Sequence, residues 1–315
     1  MDLPSELCFE IFSYLPVYPL MKFRVVSKAT VEYAKRFKGS RLRIKSIKKW
    51  HACFPEATQA NISGLQLCMD DVPYLAHVKD LDMTLCSPYI EDRFMISTLN
   101  WFRLPGLKKL TIMGNLHMTD EWLSQFTELE ELSINHSNQY ITGSGFRAMT
   151  KLKRLTLISM SRLTDQALMG LPIEELTIVS NRGITDDGIE QLTSLKILYI
   201  SLVKYVTGHG YEHLPLKEVF ISEIDVELEV FQSFAHVPKL TFSQCHFMDS
   251  DYHLLKKLEY LTMYECTFDM IDMLPDLMGL EDFKEVHLVR CPHLEPSIQE
   301  MFGPKLKLTH REKWP

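Results

Sequence analysis

Leu107-Lys-Lys-Leu110-Thr-Ile112, Leu129-Glu-Glu-Leu132-Ser-Ile134, Leu152-Lys-Arg-Leu155-Thr-Leu157, Ile173-Glu-Glu-Leu176-Thr-Ile178 and Leu195-Lys-Ile-Leu198-Tyr-Ile200 are successive copies of one phrase, L-x-x-L-x-L. The phrase continues through Leu216-Lys-Glu-Val219-Phe-Ile221, Val237-Pro-Lys-Leu240-Thr-Phe242, Leu258-Glu-Tyr-Leu261-Thr-Met263 and Phe283-Lys-Glu-Val286-His-Leu288. Taking the middle apolar residue as phase marker, the nine copies follow one another at steps of 21 to 25 residues. A period of this size means like units that cannot bury their apolar faces alone and stack to do so. Upstream, Leu42-Arg-Ile44, Leu65-Gln-Leu67 and Leu81-Asp-Met83 read as degenerate copies, with steps of 16 from 65 to 81 and 29 from 81 to 110.

The alternation in L-x-L has the period of a half-buried strand, so each unit is expected to supply one strand to a continuous parallel sheet. Between strands lie segments such as Thr119 to Phe126, Thr164 to Leu171 and Thr185 to Leu192. Each begins with a Thr able to cap a helix, then an acidic residue, then an apolar pair three apart: Leu123/Phe126, Leu168/Leu171, Ile189/Leu192. The unit is therefore strand, turn, short helix. It resembles the leucine-rich repeat, L-x-x-L-x-L-x-x-N/C-x-L. The resemblance implies an α/β solenoid with strands on a concave face and short helices on a convex one. At ~4.8 Å per stacked strand, nine to twelve repeats make a sheet on the order of 40 to 55 Å long.

The chain has 315 residues, 46% hydrophobic and 24% charged, with 34 Lys and Arg against 41 Asp and Glu for a net charge of −7. That is a soluble globular composition with mild acidity, which argues against a whole-protein nucleic-acid binder. No apolar run approaches the ~18 to 20 residues of a membrane span. The first dozen residues carry Asp2, Glu6 and Glu10 in place of a basic leader. Seven cysteines, an odd number spread from Cys8 to Cys291, do not read as a disulfide framework and favour a reducing cytoplasmic or nuclear location.

In the repeat phase, the family's Asn/Cys turn position is filled by Cys86, Asn115, Asn181, Cys245, Cys266 and Cys291, alongside Asp70, Ser137, Met160, Val203 and Ile224. Four cysteines in one architectural column read as buried structural thiols, and the sequence has no C-x-x-C spacing. His209-Gly-Tyr-Glu-His213 matches H-x-x-E-H, a zinc-hydrolase order. In repeat phase it superposes on Asp187-Gly-Ile-Glu-Gln191, which makes it the surface segment of a repeat with a short helix. No phosphate-cradling or nucleophile-elbow motif occurs, so no metal, cofactor or catalytic residue is expected.

Residues 1–30 lie outside the repeat. Pro4 opens a helix with Leu7, Ile11 and Leu15 on one stripe, ended by Pro16 and Pro19, and a second apolar run follows from Leu20 to Val26. Cys8, Phe9, Phe12 and Tyr14 add more apolar surface than about 40 residues can cover. On the residues alone, two readings stand equal: a hairpin that docks on a partner, or a cap for the solenoid edge. The segment resembles the F-box motif, matched at Leu3, Pro4, Glu6, Leu7, Ile11, Phe12, Leu15, Pro16, Leu20, Arg24, Val26, Ser27 and Lys28. It departs at Pro19, where the family often has Asp, and at Ala29-Thr30, where an aromatic often follows. The resemblance implies docking on a Skp-type adaptor through Leu3, Pro4, Leu7, Ile11, Phe12, Leu15, Pro16, Leu20, Arg24, Val26 and Ser27. Through that adaptor it implies a cullin scaffold and a ubiquitin ligase.

Lys35, Arg36, Lys38, Arg41, Arg43, Lys45, Lys48 and Lys49 form a basic stretch without an acid, read as a solvated junction rather than a nucleic-acid patch. The outward strand column reads Thr111, Ser133, Thr156, Thr177, Tyr199, Phe220, Thr241, Thr262, His287. Tyr199 and Phe220 side by side, with Tyr260 and Tyr264 farther along, have the chemistry of a binding hot spot. The plainer alternative is a cross-strand pair that only stabilises the sheet. Flanking Glu131, Glu175, Glu218 and Glu285 suggest a partner with basic groups. The substrate-binding residues expected are Glu175, Ile197, Tyr199, Glu218, Phe220, Tyr260, Tyr264 and His287.

The expected organisation is an F-box helical domain over 1–40, a basic junction with degenerate repeats over 41–106, and the solenoid over 107–315. The expected function is that of a non-catalytic substrate receptor of a ubiquitin ligase, binding a Skp-type adaptor and a protein substrate. The alternatives are a repeat scaffold without ligase linkage and a zinc hydrolase using His209 and His213.

Overall fold

The computed structural model describes residues 44–88, 102–114, 118–136, 140–203, 205–247, 251–267, 276–291 and 303–309. These fall into two compact units. The first runs to Ile141 and includes Ala148–Leu152; the second takes Thr142–Arg147 and continues from Lys153. In the first, the strands Gln59–Asn61, Asp80–Asp82, Lys109–Met113 and Glu131–Asn135 pair in parallel, with Ala60, Leu81, Leu110 and Leu132 in one row. In the second, Arg154–Ile158, Glu175–Val179, Ile197–Ser201, Glu218–Ser222, Lys239–Ser243, Tyr260–Tyr264, Glu285–Val289 and Leu306–Thr309 pair in parallel and in sequence order. Their row is Leu155, Leu176, Leu198, Val219, Leu240, Leu261, Val286 and Leu306.

The register is therefore the one the repeated phrase dictates. Both apolar residues of each L-x-L turn inward, as in Leu176 and Ile178 or Leu240 and Phe242, all at most 1% exposed. A slip of one residue would send this whole set to solvent, which is why a period-2 pattern fixes pairing so firmly.

The leading repeats need a correction. The strand that pairs with Leu81 is centred on Ala60, a step of 21 residues, and not on Leu65. Leu65-Gln-Leu67 lies past the turn, where Gln66–Leu67 pairs with Ser87–Pro88 in a separate two-stranded sheet. Leu65 thus takes the turn position, and Asp70 belongs to the 3-10 turn Met69–Asp71. Ala60 hid the strand because an alanine carries little hydrophobic signal, although it is 3% exposed and sits between the fully buried Ala57 and Ile62. Leu42 lies outside the described residues; Ile44 N–H donates to Asn61 O at 2.7 Å.

Each of the eleven repeat strands from Gln59–Asn61 to Glu285–Val289 is followed by a residue with positive φ. These are Gly64, Leu85, Gly114, His136, Ser159, Ser180, Leu202, Glu223, Gln244, Glu265 and Arg290, with φ between 47° and 71°. Nine of them are not glycine, and left-handed backbone costs such residues on the order of 1 kcal/mol each. The turn is held because the N–H reaches the next strand: Ser180 to Ser201 O at 3.0 Å, Gln244 to Tyr264 O at 2.7 Å, Glu265 to Val289 O at 2.9 Å.

One residue later comes the Asn/Cys column. Asn181 is fully buried; its Nδ2 donates to Met160 O at 2.8 Å, and its Oδ1 accepts from Gly183 and Ile184 N–H at 2.9 and 3.0 Å. Cysteines do half of this. Cys86, Cys245 and Cys291 point Sγ at Ile62 O, Ile221 O and Met263 O of the preceding repeat, at 3.0, 3.5 and 3.4 Å. None of these cysteines is in a disulfide. The contact with Cys245, then burial, holds the Cys266 thiol well above its usual range, so it remains protonated.

On the helical side, the Thr-Asp pairs act in two different ways. Thr119 does cap Asp120–Leu123, accepting from Trp122 N–H at 3.2 Å. Thr185 instead donates its hydroxyl back to Asp165 Oδ2 at 2.9 Å, while its N–H reaches Asp165 Oδ1 at 2.8 Å. The aspartate of one repeat thus organises the start of the next. Gly188 is required by this approach, since a Cβ there would lie 2.3 Å from Asp165 Oδ1. The apolar pairs behave as read, with Leu123, Phe126, Leu168, Leu171, Ile189 and Leu192 all buried. Among the described residues, no helix is long and apolar enough to cross a membrane.

Candidate protein-interaction site

The open face of the sheet carries the predicted column in register in the second unit, Thr156, Thr177, Tyr199, Phe220, Thr241, Thr262 and His287, and the structure extends it by Lys307. Tyr199 and Phe220 stack face to face, centroids 4.1 Å apart and planes 4° apart. Both are half-buried rather than fully exposed, because each ring covers the other. Burial, and then the charge of Glu223, push the Tyr199 hydroxyl above its usual range, so it is a neutral hydrogen-bonding group at physiological pH.

Ile197 lies in the row between Glu175 and Glu218 and is 36% exposed. Glu175 stands 3.9 Å from Arg154, and Glu218 accepts from Lys239 Nζ at 2.6 Å. Glu131 with Lys109 at 3.1 Å and Glu285 with Lys307 at 2.7 Å repeat the arrangement. Each such surface pair adds little stability. Their consequence is electrostatic: these glutamates already have cationic neighbours within the sheet. Tyr260 is 40% exposed, with Lys284 Nζ 5.4 Å from its ring centroid. Tyr264 ends the same strand, beside Ser243 and Val289, and His287 sits between Thr262 and Lys307. The sheet thus brings Glu175, Ile197, Tyr199, Glu218 and Phe220 together, with Tyr260, Tyr264 and His287 two to three strands away.

A second feature was missed in the sequence. At the ends of the strands, where the left-handed residues turn the chain, a groove of about 950 Å³ opens. Leu202, Val203, Val206 and Ile224 supply an apolar wall, and Glu223, Asp225, Glu227 and Glu265 supply carboxylates. Glu265 accepts from Arg290 and from Gln244, each at 2.8 Å, and these bonds hold its carboxyl below the usual range. Glu223, Asp225 and Glu227 are exposed and have no ion-pair partner among the described residues. Reading the column four residues after each phase marker would have exposed this feature, because Leu202, Glu223, Gln244, Glu265 and Arg290 stand where a turn of this kind favours glycine or asparagine.

His209 to His213 is a turn and not the expected short helix, because Gly208 and Gly210 take φ of 91° and 81°. Tyr211 is fully buried, Glu212 accepts from Ser233 Oγ at 3.3 Å, and His213 Nε2 meets Glu190 O at 3.0 Å. The motif residues are thus engaged with neighbouring repeats. Among the described residues, no group of three or more His, Cys, Asp or Glu is placed to hold a metal.

The adaptor-contacting residues expected from Leu3 to Ser27 lie outside the described residues, as do Lys35 to Arg43 of the basic stretch. Lys45, Lys48 and Lys49 are exposed around the helix Ile47–Cys53, whose Ile47 and Trp50 face inward.

Residues 1–38 match the F-box domain. A chain of the octameric complex of Latrophilin 3, Unc5D and the leucine-rich-repeat protein FLRT2 is similar over 88% of this chain and 87% of its own, with 18% identity and a TM-score of 0.56. A leucine-rich-repeat protein of Leptospira interrogans is similar over 85% of this chain and 81% of its own, with 17% identity and a TM-score of 0.52. No curated protein matches the chain. The chain thus carries an F-box domain ahead of a leucine-rich-repeat fold.

Proposed function

We propose that this F-box and leucine-rich-repeat chain is the substrate receptor of an SCF-type ubiquitin ligase, itself non-catalytic. The F-box docks on a Skp-type adaptor and through it on a cullin, while the repeats hold a target protein. The observation that carries this reading is the F-box match at residues 1–38 on the same chain as a repeat fold suited to protein interaction. A fold with an open sheet face and no convergent catalytic constellation among its described residues suits a receptor. Target binding centres on the Tyr199 and Phe220 stack, whose paired rings present rigid apolar area at low entropic cost. That the described cysteines of the turn column form no disulfide suits a reducing cytoplasmic or nuclear location. The test is co-elution of the full chain with purified Skp-type adaptor and the adaptor-binding part of a cullin in gel filtration. A ternary peak supports the ligase role. Separate elution of a folded chain rejects it and leaves a scaffold without ligase linkage.

A further inference from the structure

We infer that the groove at the strand ends docks an extended segment of the target protein in which a Lys or Arg adjoins an apolar residue. This rests on the receptor reading and names the target chemistry for a place beside the aromatic stack. The groove joins two surfaces that want opposite halves of one side chain. Its apolar wall includes Leu202, which is 48% exposed even though its left-handed backbone, φ 54°, carries a conformational cost. Its rim carries Glu223, Asp225 and Glu227.

Charge bookkeeping separates these carboxylates from the others. The glutamates of the open face stand against lysines and Arg154, and Glu265 is bonded to Arg290. Glu223, Asp225 and Glu227 lack such partners among the described residues, so the field of the groove is negative where its wall is apolar. Like charges gathered along a cleft raise the local concentration of the opposite charge. A Lys or Arg lays its methylene stem along apolar surface and keeps its cationic head at a carboxylate. The apolar neighbour of that residue meets Leu202, the exposed part of the wall. Glu223 directly follows the strand Glu218–Ser222 that carries Phe220, so the groove lies at the end of a strand of the aromatic stack.

The test uses the full chain and an immobilised set of octapeptides with Leu on either side of a central Lys, Arg, Gln or Glu and Gly or Ser elsewhere. Central Lys or Arg should bind about ten-fold tighter than Gln, with Glu weakest, and the preference should shrink in about 0.5 M salt. The triple variant Glu223→Gln, Asp225→Asn, Glu227→Gln changes exposed side chains to near-isosteric amides, and its fold is checked by its thermal melt. It should lose the preference. Equal binding of all four peptides by the wild type, no binding of any, or a preference unchanged in the folded variant would overturn the proposal. Adaptor binding by the same proteins separates the two claims. Retained adaptor binding with the preference lost isolates the groove, and a preference without adaptor binding supports the groove while rejecting the ligase role.

Discussion

The buried hydroxyl of Tyr211 donates to Asp186 Oδ1 at 2.7 Å, tying one repeat to the one before it. The same carboxylate accepts from Thr207 N–H and hydroxyl and from Gly208 N–H, at 3.0, 2.7 and 2.9 Å. Burial, then the Asp186 charge, push the Tyr211 phenol well above its usual range, so it stays protonated at physiological pH. Tyr211→Phe should cost about 1 kcal/mol, one hydrogen bond to a group that keeps its other donors. Asp186→Ala should cost about 3 kcal/mol, because it strands a buried phenol and two N–H groups together. Urea denaturation of the two variants checks this; equal costs would deny the carboxylate its organising role.

Asn181 bonds the turn through both ends of its amide, Nδ2 donating once and Oδ1 accepting twice. Asn181→Ala leaves Met160 O and two N–H groups without their side-chain partner and should cost about 3 kcal/mol. Asn181→Cys restores the donor but only a weak acceptor, as in the cysteine repeats, and should recover about 1 kcal/mol of that loss. Denaturant midpoints of the two variants provide the check.

The Tyr199 and Phe220 stack faces outward, so Tyr199→Ala with Phe220→Ala should cost only about 1 kcal/mol of pair energy beyond the area lost. Target capture should disappear while the far-ultraviolet dichroism stays that of the wild type. Undiminished capture of a known target by the folded double variant would reduce the stack to a sheet-stabilising pair.

Glu265 titrates below an ordinary glutamate because Arg290 and then Gln244 bond its ionised form. A depressed carboxyl favours the folded state at pH above its unfolded value, and that contribution fades as pH falls through the folded value. Arg290→Leu should therefore raise the Glu265 midpoint, and the stability gap to the wild type should close in acid, below the ordinary glutamate range. Carbon NMR titration of the Glu265 carboxyl and melts across that range read both effects. A midpoint unmoved by Arg290→Leu would contradict the assignment.

Much of this was legible in the sequence. The phrase L-x-x-L-x-L fixes the strand, its face and its register because apolar residues at period 2 admit one buried arrangement. It failed at Ala60, where a small residue fits the core without leaving a hydrophobic trace, and the neighbouring Leu65 and Leu67 supplied a false phase. It failed again at Thr185, because a capping residue looks the same whether its hydroxyl serves its own helix or the aspartate 20 residues back. The Tyr199 and Phe220 pairing followed directly from phase. The ion pairs of Glu175 and Glu218 were also open to reading, since Arg154 and Lys239 occupy the same phase one repeat away. The groove was not legible, because its carboxylates come from the left-handed turns at Glu223 and Glu265, the short strand at Asp225 and the helix cap at Glu227, none of which belongs to the period-2 phrase.

The account rests most directly on the adaptor. Calorimetric titration of purified Skp-type adaptor into the full chain, beside the Leu7→Asp/Ile11→Asp variant, is the decisive measurement. The account predicts one-to-one binding by the wild type and a loss of about a hundred-fold or more in the variant, whose repeats melt as before, since charges at two apolar positions of the F-box motif remove the apolar contacts proposed for the adaptor. A wild-type chain that is folded and yet gives no heat and no co-elution with the adaptor would contradict it.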